Sequence, residues 1–256
     1  MPVVDANGVR LHVQQLGAKG APVLMLHGIV FDSLATWYFT VAPALAAHRR
    51  VILLDWRGHG RSSPATSGFG LRALARDVAA VAEQLAPEPA AIVGFSYGGA
   101  VALRYAVDHP DRVERIAVVD SPLPVVHGDG LDWMERVLDS KSPGEWLELL
   151  PPRQRAVLAG DGRRMQRRVD QMTRLCHGTA LRRELAADSD VDDDELASLD
   201  RPVLLAYGAR SWYEETRDRL VRSLPDARVT MIDSGHFVPF EAPEALQAAL
   251  EAFLDA

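Results

Sequence analysis

Residues 90–100 read Ala90-Ala91-Ile92-Val93-Gly94-Phe95-Ser96-Tyr97-Gly98-Gly99-Ala100. A short apolar run without alternation, 90–93, ends in Gly94 and has the character of a strand buried on both faces. The segment that follows, 97–108, is apolar and alanine-rich and suits a helix packed on a sheet. Between them stands Gly-x-Ser-x-Gly. A sharp strand-to-helix turn forces the serine backbone into a strained conformation, and the glycines two before and two after let neighbouring backbone approach. The Ser96 hydroxyl then stands above the sheet at a helix N-terminus, where the dipole favours developing negative charge. The pentapeptide alone is common; the strand before it and the helix after it make it specific.

Outward from this turn the same rhythm repeats. Residues 22–26, 51–54, 116–119 and 203–206 are further apolar runs, and 228–232 is a weaker one. Residues 9–15 alternate after the Asn7-Gly8 turn signal. Leu71, Leu74, Val78, Val81 and Leu85 form one helical stripe, as do Leu246, Leu250 and Phe253. Strand-helix alternation of this kind predicts a doubly wound α/β sheet. Residues 121–200 break the rhythm: they hold no convincing strand and read as helices near 131–139, 144–150, 153–159 and 163–175. We take 1–120 and 201–256 as the core and 121–200 as a helical insertion.

Composition narrows the chemistry. Of 256 residues, 28 are basic and 35 acidic, for a net charge of −7, which argues against nucleic-acid or anionic-membrane partners. The arginines at 163–168 and 182–183 read as a solvated helix face. The single cysteine, Cys176, excludes an intrachain disulfide and reads as packing. Neither a signal peptide nor a membrane span is evident, so the expected location is the cytoplasm. The chain is expected to act as a monomer or homodimer on a small molecule, with no cofactor and no metal, since no His and carboxylate spacing resembles a ligand set.

Two further motifs complete a site. A hydroxyl is a poor nucleophile near neutral pH and needs a base. Of eight histidines, His236 is the candidate, in Asp233-Ser234-Gly235-His236 between the last strand run and the last helix. His27-Gly28 follows the run 22–26. A tetrahedral intermediate needs two N–H donors about 3 Å from its oxyanion; the candidates are the amides of Ile29 and Tyr97. His27 reads as shaping this loop. Pocket candidates are His27, Val30, Phe31, Trp212 and Phe237, with the apolar set implying a largely apolar substrate. Trp37-Tyr38-Phe39 reads as helix core; His127 and His177, with Trp133 and Trp146, are further positions near the insertion.

Together these motifs resemble the α/β-hydrolase family over nearly the whole chain: His27-Gly28, Asp55-Trp56-Arg57-Gly58-His59-Gly60-Arg61-Ser62, Gly94–Gly98, and Gly235-His236 followed by Glu241 and Pro243, in the family's order and spacing. The resemblance implies a mostly parallel eight-stranded sheet with a helical cap inserted after strand 6, where 121–200 lies. It gives Asp55–Ser62 a structural role as a tight turn.

The chain departs from the family at the acid that holds the imidazole. The usual position, a few residues past Gly208, appears as Ser211. The run 116–119 ends instead in Asp120, and some relatives, resembling haloalkane dehalogenases, carry their acid there. Asp120 is the expected acid, with Glu214, Glu215 or no acid as alternatives; Asp233 is too close to His236 in sequence. Dehalogenases and epoxide hydrolases of this fold use a carboxylate at the elbow, so Ser96 points away from them. The expected reaction is acyl transfer to water from an ester, thioester, lactone or amide. Carbon–carbon bond hydrolysis on the same residues and a non-catalytic ligand-binding homologue are the alternatives.

Overall fold

The structure is a computed structural model and describes residues 3–30, 32–122, 162–187 and 191–256, with isolated positions between 135 and 155. Eight strands form one sheet: β1 (Val3–Ala6), β2 (Val9–Leu16), β3 (Pro22–Leu26), β4 (Arg50–Leu54), β5 (Ala90–Phe95), β6 (Val113–Val119), β7 (Val203–Gly208) and β8 (Ala227–Ile232). Their order is β1-β2-β4-β3-β5-β6-β7-β8. The pairings of β1 with β2 and β2 with β4 are antiparallel; all the others are parallel. The mostly parallel eight-stranded sheet expected from the sequence is therefore present. Strand β1, short and half-polar with an alternating burial pattern, is the one the apolar runs did not reveal.

The central strands owe their place to their composition. Every residue of β3, β5 and β7 is buried, as expected where helices cover both faces of a parallel sheet. Helices α1 (Ala35–Tyr38), α2 (Ala42–Leu45), α3 (Leu71–Leu85) and α4 (Tyr97–Asp108) follow β3, β4 and β5 in turn. The apolar stripe of α3 is fully buried at Leu71, Leu74, Val78 and Val81. Trp37 is buried core as read, whereas Phe39 is 78% exposed.

Between β6 and β7 the described residues contain helices Gly162–Gly178, Leu181–Ala186 and Asp193–Ala197. The first contains the stretch read as helix at 163–175. The helices expected at 131–139, 144–150 and 153–159, together with His127, Trp133 and Trp146, fall largely or wholly outside the described residues. Three helices follow β7 and β8: Glu214–Ser223, Val238–Glu241 and Pro243–Leu254.

Candidate active site

Ser96 occupies the single residue between β5 and α4 with φ 52° and ψ −129°. Its amide donates to Val119 O at 2.9 Å, which ties the turn to the neighbouring strand. A Cβ on Gly94 would lie 2.2 Å from Gly98 O, and one on Gly98 would lie 2.5 Å from Leu26 O. Both glycines are therefore demanded by close backbone approach. The four non-glycine residues with positive φ among the described ones are Asn7, Val30, Ser96 and Asp120. Asn7 belongs to a hairpin turn; the other three gather at this site, where stored backbone strain is typical of function.

Asp120 follows β6 with φ 44° and is completely buried. A buried carboxylate needs donors to offset its lost hydration. Its Oδ1 accepts from the Gly208 amide at 2.8 Å. Its Oδ2 accepts from Ser211 Oγ at 2.7 Å and from His236 Nδ1 at 2.7 Å. That contact fixes the proton of the imidazole on Nδ1 and leaves Nε2 as the basic nitrogen. The alternatives lie elsewhere: Glu214 and Glu215 are exposed on helix Glu214–Ser223, and Glu214 pairs with Arg217 at 3.2 Å. Asp233 is an exposed partner of Arg210.

The imidazole of His236 is 4% exposed and enclosed by aromatic rings. It stacks on Phe95, the residue before Ser96, at 5.2 Å between centroids and 27° between planes. This brings the imidazole beside the turn that carries Ser96. Trp212 lies 5.6 Å away, Tyr213 5.0 Å and Phe237 5.0 Å. The pocket candidates Trp212 and Phe237 thus both meet His236, and Trp212 is itself 36% exposed. The loop is held by Glu241, whose carboxylate accepts from Gly235 N at 2.9 Å and Phe237 N at 3.3 Å. Peptides on both sides of His236 end on one side chain.

Gly28 lies against Ser96: a Cβ there would stand 3.3 Å from Ser96 Cβ and 2.2 Å from Asp32 Oδ2. The loop it opens is braced by Asp55–Ser62. Trp56 N donates to His27 Nε2 at 3.1 Å, Val30 N to His59 Nε2 at 3.0 Å, and Leu34 N to Asp55 Oδ1 at 2.8 Å. His27 Nδ1 donates to Gly28 O and His59 Nδ1 to Arg57 O, which sets both tautomers. Full burial pulls His59 down to about 4, so it stays a neutral acceptor for the strained Val30. His27 is also fully buried and braces the loop it was read as shaping, while its further reading as a pocket candidate finds no support in that burial. Ile29 and Val30 are buried beside it, and Phe31 lies outside the described residues. Sequence reading passed over Ser211, Glu241 and His59 as active parts of the site. Glu241 and His59 were in quoted motifs and Ser211 was noted only for the carboxylate it lacks, but no local pattern announces which backbone amide or carboxylate a side chain meets across the fold.

No group of three or more His, Cys, Asp or Glu among the described residues is arranged to hold a metal ion. No helix among them is long and apolar enough to cross a membrane.

Comparison with known proteins agrees with this fold. The family model described as alpha/beta hydrolase fold matches residues 21–177. N-formylmaleamate deformylase of Pseudomonas putida is 30% identical, over 98% of this chain and 95% of that protein. The dihydrolipoyllysine-residue acetyltransferase component of the acetoin cleaving system of Cupriavidus necator is 29% identical, over 98% of this chain and 68% of that protein. A crystal structure of a hydrolase from Pseudomonas aeruginosa superposes with a TM-score of 0.79 at 28% identity, covering 99% of this chain and 97% of the other.

Proposed function

Because the chain belongs to the α/β-hydrolase fold family and is a hydrolase, we propose that it cleaves small acyl substrates through a covalent intermediate on Ser96. The observation that carries this reading is the fully buried Asp120 carboxylate bound at 2.7 Å to His236 Nδ1, with the imidazole stacked on the residue preceding Ser96. Such a pair leaves Nε2 to take the Ser96 proton as Oγ attacks the acyl carbon. The amides of Ile29 and Tyr97 receive the oxyanion. The imidazolium then protonates the leaving group, and water, deprotonated by the same nitrogen, releases the acid and frees Ser96.

The enclosure of His236 by Phe95, Trp212, Tyr213 and Phe237 favours a substrate with a compact, largely apolar or planar body. The relative from P. putida removes a formyl group from N-formylmaleamate, as its name states. Small formamides therefore belong in the substrate set beside esters, thioesters and lactones.

A fluorophosphonate probe tests the reading. It forms a covalent bond with a serine that a neighbouring base activates. Wild type is expected to label and Ser96→Ala not to; a folded wild type that stays unlabelled overturns the proposal in favour of a ligand-binding protein. A panel of activated esters, thioesters, lactones and N-formyl amides then ranks the substrate classes by kcat/KM.

A further inference from the structure

Ser211 stands at the position where most relatives of this fold carry their acid, and its hydroxyl is held in one orientation. Its Oγ accepts the amide of Tyr213 at 3.1 Å and lies 2.7 Å from Asp120 Oδ2. An ionised carboxylate only accepts, so the hydroxyl proton points at Asp120. The oxygen it reaches is the one that receives His236 Nδ1–H at 2.7 Å. We propose that Ser211 is a positioning residue that sets the basicity of His236 by placing a second donor on the carboxylate oxygen that holds the imidazole. The inference rests on the reading of Ser96, His236 and Asp120 given above.

Two donors on one oxygen divide its charge. The imidazolium form of His236 gains most from that charge, so the Ser211 proton weakens the base and keeps it neutral to lower pH. Removing the hydroxyl returns the charge to the Asp120–His236 contact and favours the protonated ring.

The other groups around the pair leave this effect standing. Gly208 N occupies Oδ1. Tyr207 of β7 donates its hydroxyl to Ser121 O at 2.9 Å, and Tyr213 packs its ring on the imidazole. Burial first, then the charge of Asp120, raises both phenols above their ordinary range, so both stay neutral while the base titrates. Glu241 is engaged by the amides of Gly235 and Phe237, and Asp32 lies across the nucleophile turn beside Gly28. Neither contact involves Ser211, so both are common to wild type and variant.

The test is the pH profile of the rate of fluorophosphonate labelling for wild type, Ser211→Ala and Ser211→Thr. In Ser211→Ala the acid limb should move to higher pH by about half a unit to one unit, the size of one modest hydrogen bond. Ser211→Thr retains the hydroxyl and should keep the wild-type limb. The His236 ring proton followed by NMR through the same titration should give the same displacement without any turnover. Should Ser211→Ala not fold, Ser211→Cys, a weaker donor, should move the limb in the same direction. Coincident profiles, or a shift to lower pH, overturn the proposal. A wild type that does not label defeats the reading of Ser96 instead, and the NMR titration still decides the role of Ser211.

Discussion

Asp120→Asn is the sharpest perturbation of the site because the backbone there accepts asparagine. At φ 44° most side chains would add strain, but Asn tolerates the left-handed region as well as Asp does. The amide must still serve three donors: Gly208 N, Ser211 Oγ and His236 Nδ1. With its oxygen retained by Gly208 N, its NH2 faces the imidazole. A donor opposite Nδ1 inverts the tautomer, so that Nε2 carries the proton and cannot take one from Ser96. The Ser211 hydroxyl can rotate to avoid the amide, but the imidazole has only this choice. Neutralising a triad acid by this route lowers kcat by about 10³–10⁴-fold, or about 4–5.5 kcal/mol of barrier. The assay is hydrolysis of the best activated ester from the panel, alongside thermal unfolding. The expected result is that loss of turnover with Tm within a few degrees of wild type. A fall of less than about tenfold in a folded variant refutes the reasoning and removes Asp120 from the mechanism.

Three further outcomes follow from other contacts. Glu241→Ala strips the acceptor from the amides on both sides of His236; kcat/KM should fall roughly 10–100-fold, as displacing a base by about 1 Å does, while Glu241→Gln, keeping one acceptor, should lose less. His59, lowered from 6.5 to about 4 by burial, gives stability that is complete above pH 6.5 and is lost as pH falls toward 4. Urea unfolding should show about 2 kcal/mol less stability at pH 5 than at pH 7 from this group, and His59→Gln, which does not titrate, should lose correspondingly less over the same interval. The Cys176 thiol is buried and pushed up to about 12, so iodoacetamide at pH 8 should leave it unmodified in the native protein and alkylate it once urea unfolds the chain; rapid modification of the native protein would contradict that burial.

The strands and helices were legible wherever burial is two-sided or the apolar period is strong. The run 22–26 is β3 and 97–108 is α4, residue for residue. Gly94 and Gly98 were legible because close backbone approach leaves no alternative residue type. Strand β1 was not, because an edge strand paired on one side needs little apolar character. The braces were not legible for a different reason. His59 and Val30 are 29 positions apart, and so are His27 and Trp56. A histidine that accepts from a distant amide has the same local sequence as one on the surface. The Asp120–His236 contact was legible only as a departure, through what Ser211 lacks and Asp120 offers.

That departure has a geometric cause in the sheet. Strands β6 and β7 run parallel in register, Val119 beside Ala206, and the Asp120 amide extends the ladder by donating to Ala206 O at 2.9 Å. The first residue past β6 therefore emerges directly beside the end of β7. Positive φ at Asp120 turns its side chain across that end, where the Gly208 amide awaits one carboxylate oxygen. The loop after β7 carries Ser211 to the other oxygen, and the loop after β8 brings His236 to the same point. Two adjacent strand ends thus converge on one imidazole nitrogen, and a carboxylate leaving either can meet it. When the carboxylate comes from β6, the loop after β7 is relieved of supplying charge, and hydrogen-bond donors come from this side instead: a peptide N–H at Gly208, the last residue of β7, and a hydroxyl at Ser211 in the loop. A serine at the vacated position follows from the same physics, since a second carboxylate packed against buried Asp120 would repel it, whereas a hydroxyl completes its hydrogen bonds.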